Sequence, residues 1–185
     1  MSEVQENKIS SYLTFNLGNE LFASHVDYVL KILEMQHITE VPKSPPFMKG
    51  VINLRGNVLP VIDARVKFGL KITEYTPRTV ILVLSLVIDG DTIEVGAIVD
   101  SVQDVVEYNS TEIMPTPGLG SKYKSDFIEG VMKINEQVVM VLNMSSVFSN
   151  DEIIDIQEKS EQLKKGTSRQ KSDNKTKIRI GGNKA

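Results

Sequence analysis

The side chains that could do catalytic chemistry are few and poorly spaced. The only histidines are His25 and His37, and the chain has no cysteine, which removes thiolate zinc sites and cysteine nucleophiles. Asp63, Asp100 and Asp104 are candidates for paired carboxylates. Helix capping or a place on the surface is the better interpretation for them, because Asp100 and Asp104 fall in a duplicated element. We therefore expect no catalytic residue, no metal site and no cofactor.

A second group of charged residues, within 55–65, is better suited to binding another protein than to catalysis. Arg55 lies at a turn between two apolar segments, and arginine is favoured at protein interfaces because its planar fork makes several directed hydrogen bonds. Arg55 could instead pair with Asp63 and clamp the hairpin, and the two interpretations are compatible. We expect Asp63 and Arg65 to shape the fold rather than to contact a partner.

Alternating apolar residues predict a chain dominated by short strands. Gly18-Asn19 and Asp89-Gly90-Asp91 are hairpin turn signals. The nearly apolar run 80–88 has about half the length that a membrane helix needs, so it predicts a buried strand and no direct membrane insertion. Helical spacing of apolar residues in 25–33 predicts a short helix or turn. Asn150 is the predicted N-cap of an amphipathic C-terminal helix.

An internal repeat organises these elements. Residues 47–68 align without gaps on residues 127–148, with six identities in 22 positions, and residues 25–35 align on 98–108. Two matching blocks in the same order indicate a duplication. The expected fold is all-β dominated: two SH3-like five-stranded β-barrel subdomains with pseudo-twofold symmetry, short helices and a C-terminal helix. A cleft is expected between the subdomains.

The two copies can be read against each other. Gly50 and Gly130 are kept in both, which indicates a backbone requirement. Arg55, by contrast, aligns with Asn135 in the second copy, so the fold does not require an arginine at that turn. The charged positions at 63 and 65 are likewise neutral in the second copy.

Charge is distributed unevenly along the chain. Residues 159–185 carry a net charge of +7, while the preceding residues carry −10. We expect a flexible N-terminus at 1–10, a folded body at 11–165 and a basic disordered tail at 166–185. The body is acidic and the tail has no aromatic residue, so we do not expect a nucleic-acid partner.

The segment 42–69, PKSPPFMKGVINLRGNVLPVIDARVKFG, resembles the signature of the CheW family of bacterial chemotaxis coupling proteins. The matching positions are Gly50, Val51, Asn53, Leu54, Arg55, Gly56, Pro60, Val61, Asp63, Arg65, Phe68 and Gly69. The resemblance extends over about 12–148. Two positions depart from the pattern: Ala64 replaces a leucine, and Lys31 stands where the family often has a glutamate in its partner-contact region.

This resemblance implies a cytoplasmic, non-enzymatic adaptor. Its expected partners are the regulatory domain of the histidine kinase CheA and the cytoplasmic tip of a chemoreceptor. The expected partner-binding residues are Asn53, Arg55 and Gly56 in the turn, with Val29 and Lys31 earlier in the chain. The alternatives are a similar scaffold in a non-chemotaxis signalling array, a nucleic-acid-binding β-barrel with a basic arm, and an enzyme using Asp63 or Asp100.

Overall fold

The computed structural model describes the backbone of residues 8–116 and 125–179, with side chains to Thr116 and from Asp126 to Lys165. The strands are β1 (Ile9–Leu17), β2 (Glu20–His25), β3 (Val29–Glu34), β4 (Met48–Leu54), β5 (Asn57–Asp63), β6 (Val80–Ile88), β7 (Asp91–Val99), β8 (Ser101–Asn109), β9 (Ile128–Ile134) and β10 (Gln137–Leu142). The α-helices are α1 (Ala64–Lys67) and α2 (Asn150–Arg179), and 3-10 turns span Val26–Tyr28, Ser110–Glu112, Ser125–Phe127 and Met144–Ser146.

The strands form two five-stranded sheets, which confirms the predicted fold class. The first sheet has the order β8-β1-β2-β10-β9, and the second has the order β3-β6-β7-β5-β4. Each sheet contains one parallel pair, β2 with β10 in the first and β7 with β5 in the second. The two orders are equivalent strand for strand under the duplication.

Neither sheet is built from one continuous copy of the repeat. The chain starts the first sheet with β1 and β2 and then forms β3, β4 and β5 in the second sheet. It completes the second sheet with β6 and β7 before it returns to the first sheet with β8, β9 and β10. The two copies thus exchange a pair of strands, and each sheet needs both halves of the sequence.

Gly50 and Gly130 occupy equivalent points of close backbone approach. An isolated bridge pairs Thr39 with Val51 beside Gly50, and another pairs Met114 with Val131 beside Gly130. A Cβ on Gly50 would lie 2.2 Å from the Thr39 carbonyl oxygen, and one on Gly130 would lie 2.6 Å from the Met114 carbonyl oxygen. The backbone requirement inferred from the repeat has this steric basis.

The sheets share one main hydrophobic core. Leu13, Phe15 and Phe22 of the first sheet pack in the same cluster as Ile62 and Leu82 of the second sheet. A separate small cluster fills the other face of each sheet. The space between the sheets is therefore largely filled. A polar cavity of about 370 Å³ remains where Gly18, Arg65 and Asp100 meet.

The short helix or turn predicted in 25–33 is present only as the 3-10 turn Val26–Tyr28. Residues Val29–Glu34 form β3, which pairs antiparallel with β6. The helical spacing of apolar residues did not predict β3 because β3 is an edge strand. Leu30 and Ile32 are both about half exposed, so the apolar residues of β3 do not alternate between core and solvent.

The C-terminal helix differs from its prediction at both ends. Ser149, one residue before the predicted cap, accepts a hydrogen bond on Oγ from the Glu152 N–H at 3.3 Å, and the Glu152 carboxylate accepts one from the Ser149 N–H at 2.9 Å. This reciprocal pair is a capping box. The helical backbone continues through Gly166 to Arg179, past the predicted start of the tail at residue 166. The predicted docking face is present, with Ile153 and Ile156 buried in the main core.

Replacing Gly50 by alanine should destabilise the fold by about 2–4 kcal/mol, because the new Cβ would collide with backbone rather than with a movable side chain. Gly18→Ala is the matched control. Gly18 has φ +63° but no atom within 4 Å of the added Cβ, so only the left-handed conformation is penalised, by about 1 kcal/mol. Urea unfolding measures both, and equal losses would show that steric contact does not explain the glycine at 50.

Candidate protein-interaction site

The turn between β4 and β5 places Arg55 in a strained, exposed position. Arg55 has φ +51° and Gly56 has φ +86°, which is the conformation of a two-residue hairpin turn that asparagine and glycine adopt most easily. The equivalent residues Asn135 and Glu136 adopt φ +46° and +66°. Because asparagine serves the same position in the other copy, turn geometry does not explain why an arginine stands there.

Asn53 stabilises the turn from within. Its side-chain oxygen accepts a hydrogen bond from the Gly56 N–H at 2.8 Å. This bond holds the loop in the conformation that presents Arg55 to solvent. Asn53 and Gly56 therefore shape the turn, and the Arg55 side chain is the chemically distinctive group on it.

The proposed pairing of Arg55 with Asp63 is wrong. The two residues flank opposite ends of β5, which spans roughly 20 Å for a strand of this length. Asp63 is buried and caps α1 instead. One of its carboxylate oxygens accepts from the Arg65 N–H at 2.9 Å, and the other accepts from the Tyr75 hydroxyl at 3.0 Å. Burial and the neighbouring Asp63 carboxylate raise the pKa of Tyr75, so this hydroxyl remains a donor.

Arg65 forms an ion pair across the two sheets. Its Nε donates to Asp100 Oδ1 at 2.6 Å, its Nη2 donates to the other carboxylate oxygen, and its Nη1 donates to the Lys71 carbonyl at 2.8 Å. Asp100 Oδ2 also accepts the Gly18 N–H at 2.6 Å. Gly18 belongs to the first sheet's hairpin and Arg65 to the helix that follows β5, so this network links the two sheets where the chain crosses between them.

Lys67 forms a second connection, between α1 and α2. Its ammonium lies 2.5 Å from Glu152 Oε1 and 4.7, 5.4 and 5.2 Å from the ring centroids of Phe47, Phe127 and Phe148. Only 6% of the Lys67 side chain is exposed. The ring faces and the carboxylate compensate the buried charge. Comparison of the two copies could have identified this site, because Lys67 is charged while its equivalent in the second copy is Val147.

Helix α2 is held against β5 and forms a groove with it, which we name the helix groove. Ser160 is buried and its hydroxyl donates to the Val58 carbonyl at 3.5 Å. The groove has a volume of about 600 Å³. Its lining residues are Lys31, Leu54, Arg55, Asn57, Val58, Leu59, Pro60, Ile93, Glu94, Val95, Ile156, Gln157, Ser160, Glu161 and Lys164.

The structure brings two of the five expected partner-binding residues together in this groove. Lys31 and Arg55 both line it, although they are 24 positions apart in the sequence. Val29 does not, because it is half-buried against the main core. The contributions of α2 and of Glu94 were missed, since neither follows from the motif around Arg55.

Two classes of site find no support in the described part of the chain. Residues 8–116 and 126–165 contain no group of three or more histidine or carboxylate side chains that could hold a metal ion. Among the described helices, none is long and apolar enough to cross a membrane.

Two interleaved five-stranded β-sheets with a C-terminal helix place the protein in the all-β class. The family model described as the CheW-like domain matches residues 11–152. The chain is 33% identical over 140 residues to the chemotaxis protein CheW of Rhizobium meliloti (strain 1021), covering 76% of this chain and 88% of the relative. The CheW protein of Bacillus subtilis (strain 168) is 32% identical over 139 residues, covering 75% and 86%.

A solved structure agrees. The scaffolding protein TtCheW from Thermoanaerobacter tengcongensis superposes with a TM-score of 0.70 at 25% identity, covering 82% of this chain and 96% of that one. The chain belongs to the CheW-like family.

Arg65→Ala should destabilise the protein by about 2–3 kcal/mol, because it leaves the partly buried Asp100 carboxylate without its cation. Arg65→Lys keeps the charge but loses the bidentate geometry, so its loss should be intermediate. Denaturant unfolding of the two variants tests this order. An Arg65→Ala protein as stable as the wild type would mean that the pair does not hold the sheets together.

Acid should weaken the attachment of α2. Burial raises the pKa of Glu152, but the hydrogen bonds from Lys67 and from the Ser149 N–H outweigh it, and the pKa is lowered from 4.5. A carboxyl with a lowered folded-state pKa contributes stability that is present above pH 4.5 and is lost as pH falls through the folded value.

The variant Glu152→Gln, which keeps the size and the capping geometry, should be less stable than the wild type at pH 7. The difference should shrink as the pH falls below 4.5. Unfolding free energies measured for both proteins across this range test the pair, and a difference that does not change with pH would contradict it.

Proposed function

We propose that this chain is a non-enzymatic adaptor that couples chemoreceptors to a CheA-type histidine kinase. Membership of the CheW-like family and the likeness to a structure described as a scaffolding protein support this proposal. Its expected partners are the regulatory domain of the kinase and the cytoplasmic tip of the receptor. The cytoplasm is its proposed location, which fits the absence of cysteine.

The observation that carries the proposal is Arg55. It is exposed, it sits in a conformation that favours other residues, and it has no ion-pair partner among the described residues. An arginine with these properties is available to form directed hydrogen bonds with another protein. The adaptor would transmit a change in the receptor tip to the kinase through a shared interface.

Arg55→Ala should weaken binding to the kinase domain or to the receptor tip by about 30-fold, the loss typical of an interface hot spot of about 2 kcal/mol. Its unfolding free energy should stay within about 0.5 kcal/mol of the wild type, because Arg55 makes no described ion pair. Isothermal titration calorimetry and urea unfolding measure the two quantities.

Arg78→Ala provides the matched control, since Arg78 is an exposed arginine in a different loop. If Arg55→Ala unfolds the protein, Arg55 is a structural clamp and not a contact residue. Failure of the wild-type chain to bind either partner would contradict the adaptor function itself.

A further inference from the structure

Another cavity lies at the α1 end of β5. Its volume is about 390 Å³, which is within the range of small-molecule sites. Segments 40–49, 63–66 and 72–75 supply its lining residues, and we name it the loop cavity. Met48 in its lining is buried and Ile72 is 66% exposed, so its apolar surface runs from the core to the solvent.

A buried carboxylate lines the loop cavity. Asp63 contributes to the lining although only 5% of the residue is exposed. Its Oδ1 accepts the Arg65 N–H at 2.9 Å and the Val66 N–H at 3.4 Å, whereas its Oδ2 accepts the Tyr75 hydroxyl alone among the described donors, at 3.0 Å. A carboxylate oxygen has two acceptor positions, so Oδ2 can accept a further hydrogen bond.

No ion pair within the described part of the chain compensates the Asp63 charge. The guanidinium of Arg65, two residues away, binds Asp100 instead. Lys49 also lines the cavity, but its ammonium lies over the Tyr75 ring, 5.9 Å from the ring centroid. Because a buried charge is costly without a counterion, a cation that reaches Oδ2 gains a strong charge-assisted hydrogen bond.

The shared fold does not require this carboxylate. Asp63 aligns with Asn143, which precedes the 3-10 turn Met144–Ser146 without a side-chain capping bond. Capping of α1 uses Oδ1 and leaves Oδ2 unexplained. The first copy then continues into the loop 70–78, whereas the second copy continues into α2. The loop cavity is therefore a feature of the first copy.

Negative charge also surrounds the exposed part of the loop cavity. Glu40 and Glu74 are exposed and line it, so its three carboxylates and the single Lys49 give a net charge of −2. Glu74 also borders the polar cavity that contains Arg78, but no described ion pair joins them. The loop cavity is thus complementary to a cation with an apolar body.

An inorganic cation does not fit this lining as well as an organic one. Residues 8–116 and 126–165 contain no group of three or more histidine or carboxylate side chains that could hold a metal ion. A bare ion would also leave the apolar surface of Met48 and Val66 in contact with water, whereas an aliphatic chain would cover it.

We propose that the loop cavity binds a small aliphatic amine, whose ammonium group donates to Asp63 Oδ2 and whose methylene chain packs on Met48 and Val66. A diamine places its second ammonium between the exposed carboxylates of Glu40 and Glu74. This site adds a small-molecule ligand to the adaptor function and does not depend on it.

The test titrates cadaverine, a five-carbon aliphatic diamine, into the nitrogen-15-labelled full-length chain at constant ionic strength. The amide NMR signals of Arg65 and Val66 are the reporters, because both N–H groups donate to Asp63. Their shifts should saturate. Pentylamine, with one ammonium, should bind about threefold more weakly, the loss typical of an exposed ion pair. Pentanol, which is uncharged, should bind about tenfold more weakly still.

Asp63→Asn should lower the affinity for cadaverine about tenfold or more, because the amide keeps the size of the side chain without its charge. Asp91→Asn is the matched control, since Asp91 is exposed and lines none of the cavities described above. The double variant Glu40→Gln, Glu74→Gln should bind cadaverine and pentylamine equally. Circular dichroism and urea unfolding establish which variants are folded.

Saturable reporter shifts that Asp63→Asn weakens and Asp91→Asn does not support the amine site. Equal cadaverine affinity in the wild type and Asp63→Asn, or shifts that do not saturate in the wild type, overturn it. Pentanol that binds as tightly as pentylamine overturns the role of the carboxylate. If Asp63→Asn does not fold, the double variant decides, and a preference for cadaverine that survives in it contradicts the inference.

Discussion

The exchange of strands between the two repeats is the constraint on which the rest of the structure depends. Each sheet takes two strands from one copy and three from the other, so neither can form while half of the sequence is unfolded. The shared core makes the same demand, because it joins side chains of both sheets with those of α2. Contacts between residues far apart in sequence then become obligatory, such as Arg65 with Asp100 and Lys67 with Glu152.

The two sheets have equivalent strand orders, but the two copies of the repeat differ in their charged side chains. The first copy carries four charged residues whose equivalents in the second copy are neutral. These are Arg55, Asp63, Arg65 and Lys67, which align with Asn135, Asn143, Ser145 and Val147. Three of the four charges have internal tasks: Asp63 caps α1, Arg65 links the sheets and Lys67 holds the start of α2. Arg55 has no such task among the described residues, and together with Lys31 it lines a groove whose second wall is α2. Duplication supplied the scaffold, and divergence of the first copy gave it a distinct surface.

Local signals were predictable where local physics determines the structure. The hairpins at Gly18 and Gly90 follow from turn residues between apolar strands, and both glycines have positive φ. The capping of α2 was recognisable within one residue, because Ser149 and Glu152 have the spacing of a capping box. Strand β3 was not predictable, since an edge strand lacks a clean alternation and its identity comes from pairing with β6. The Arg65–Asp100 pair was likewise hidden, because 35 positions separate its members.

The sequence by itself determined the repeat, the strand-dominated composition, the glycines at equivalent positions and the family, because each is carried by residue types at fixed spacing. Only the tertiary structure decided which strands share a sheet, that Asp63 caps a helix rather than pairing with Arg55, and that Lys31, Arg55 and α2 enclose one groove. The physical reason is that sheet pairing, ion pairs and grooves depend on distances between remote segments. Those distances are set by the packing of the whole core, and a one-dimensional pattern does not contain them.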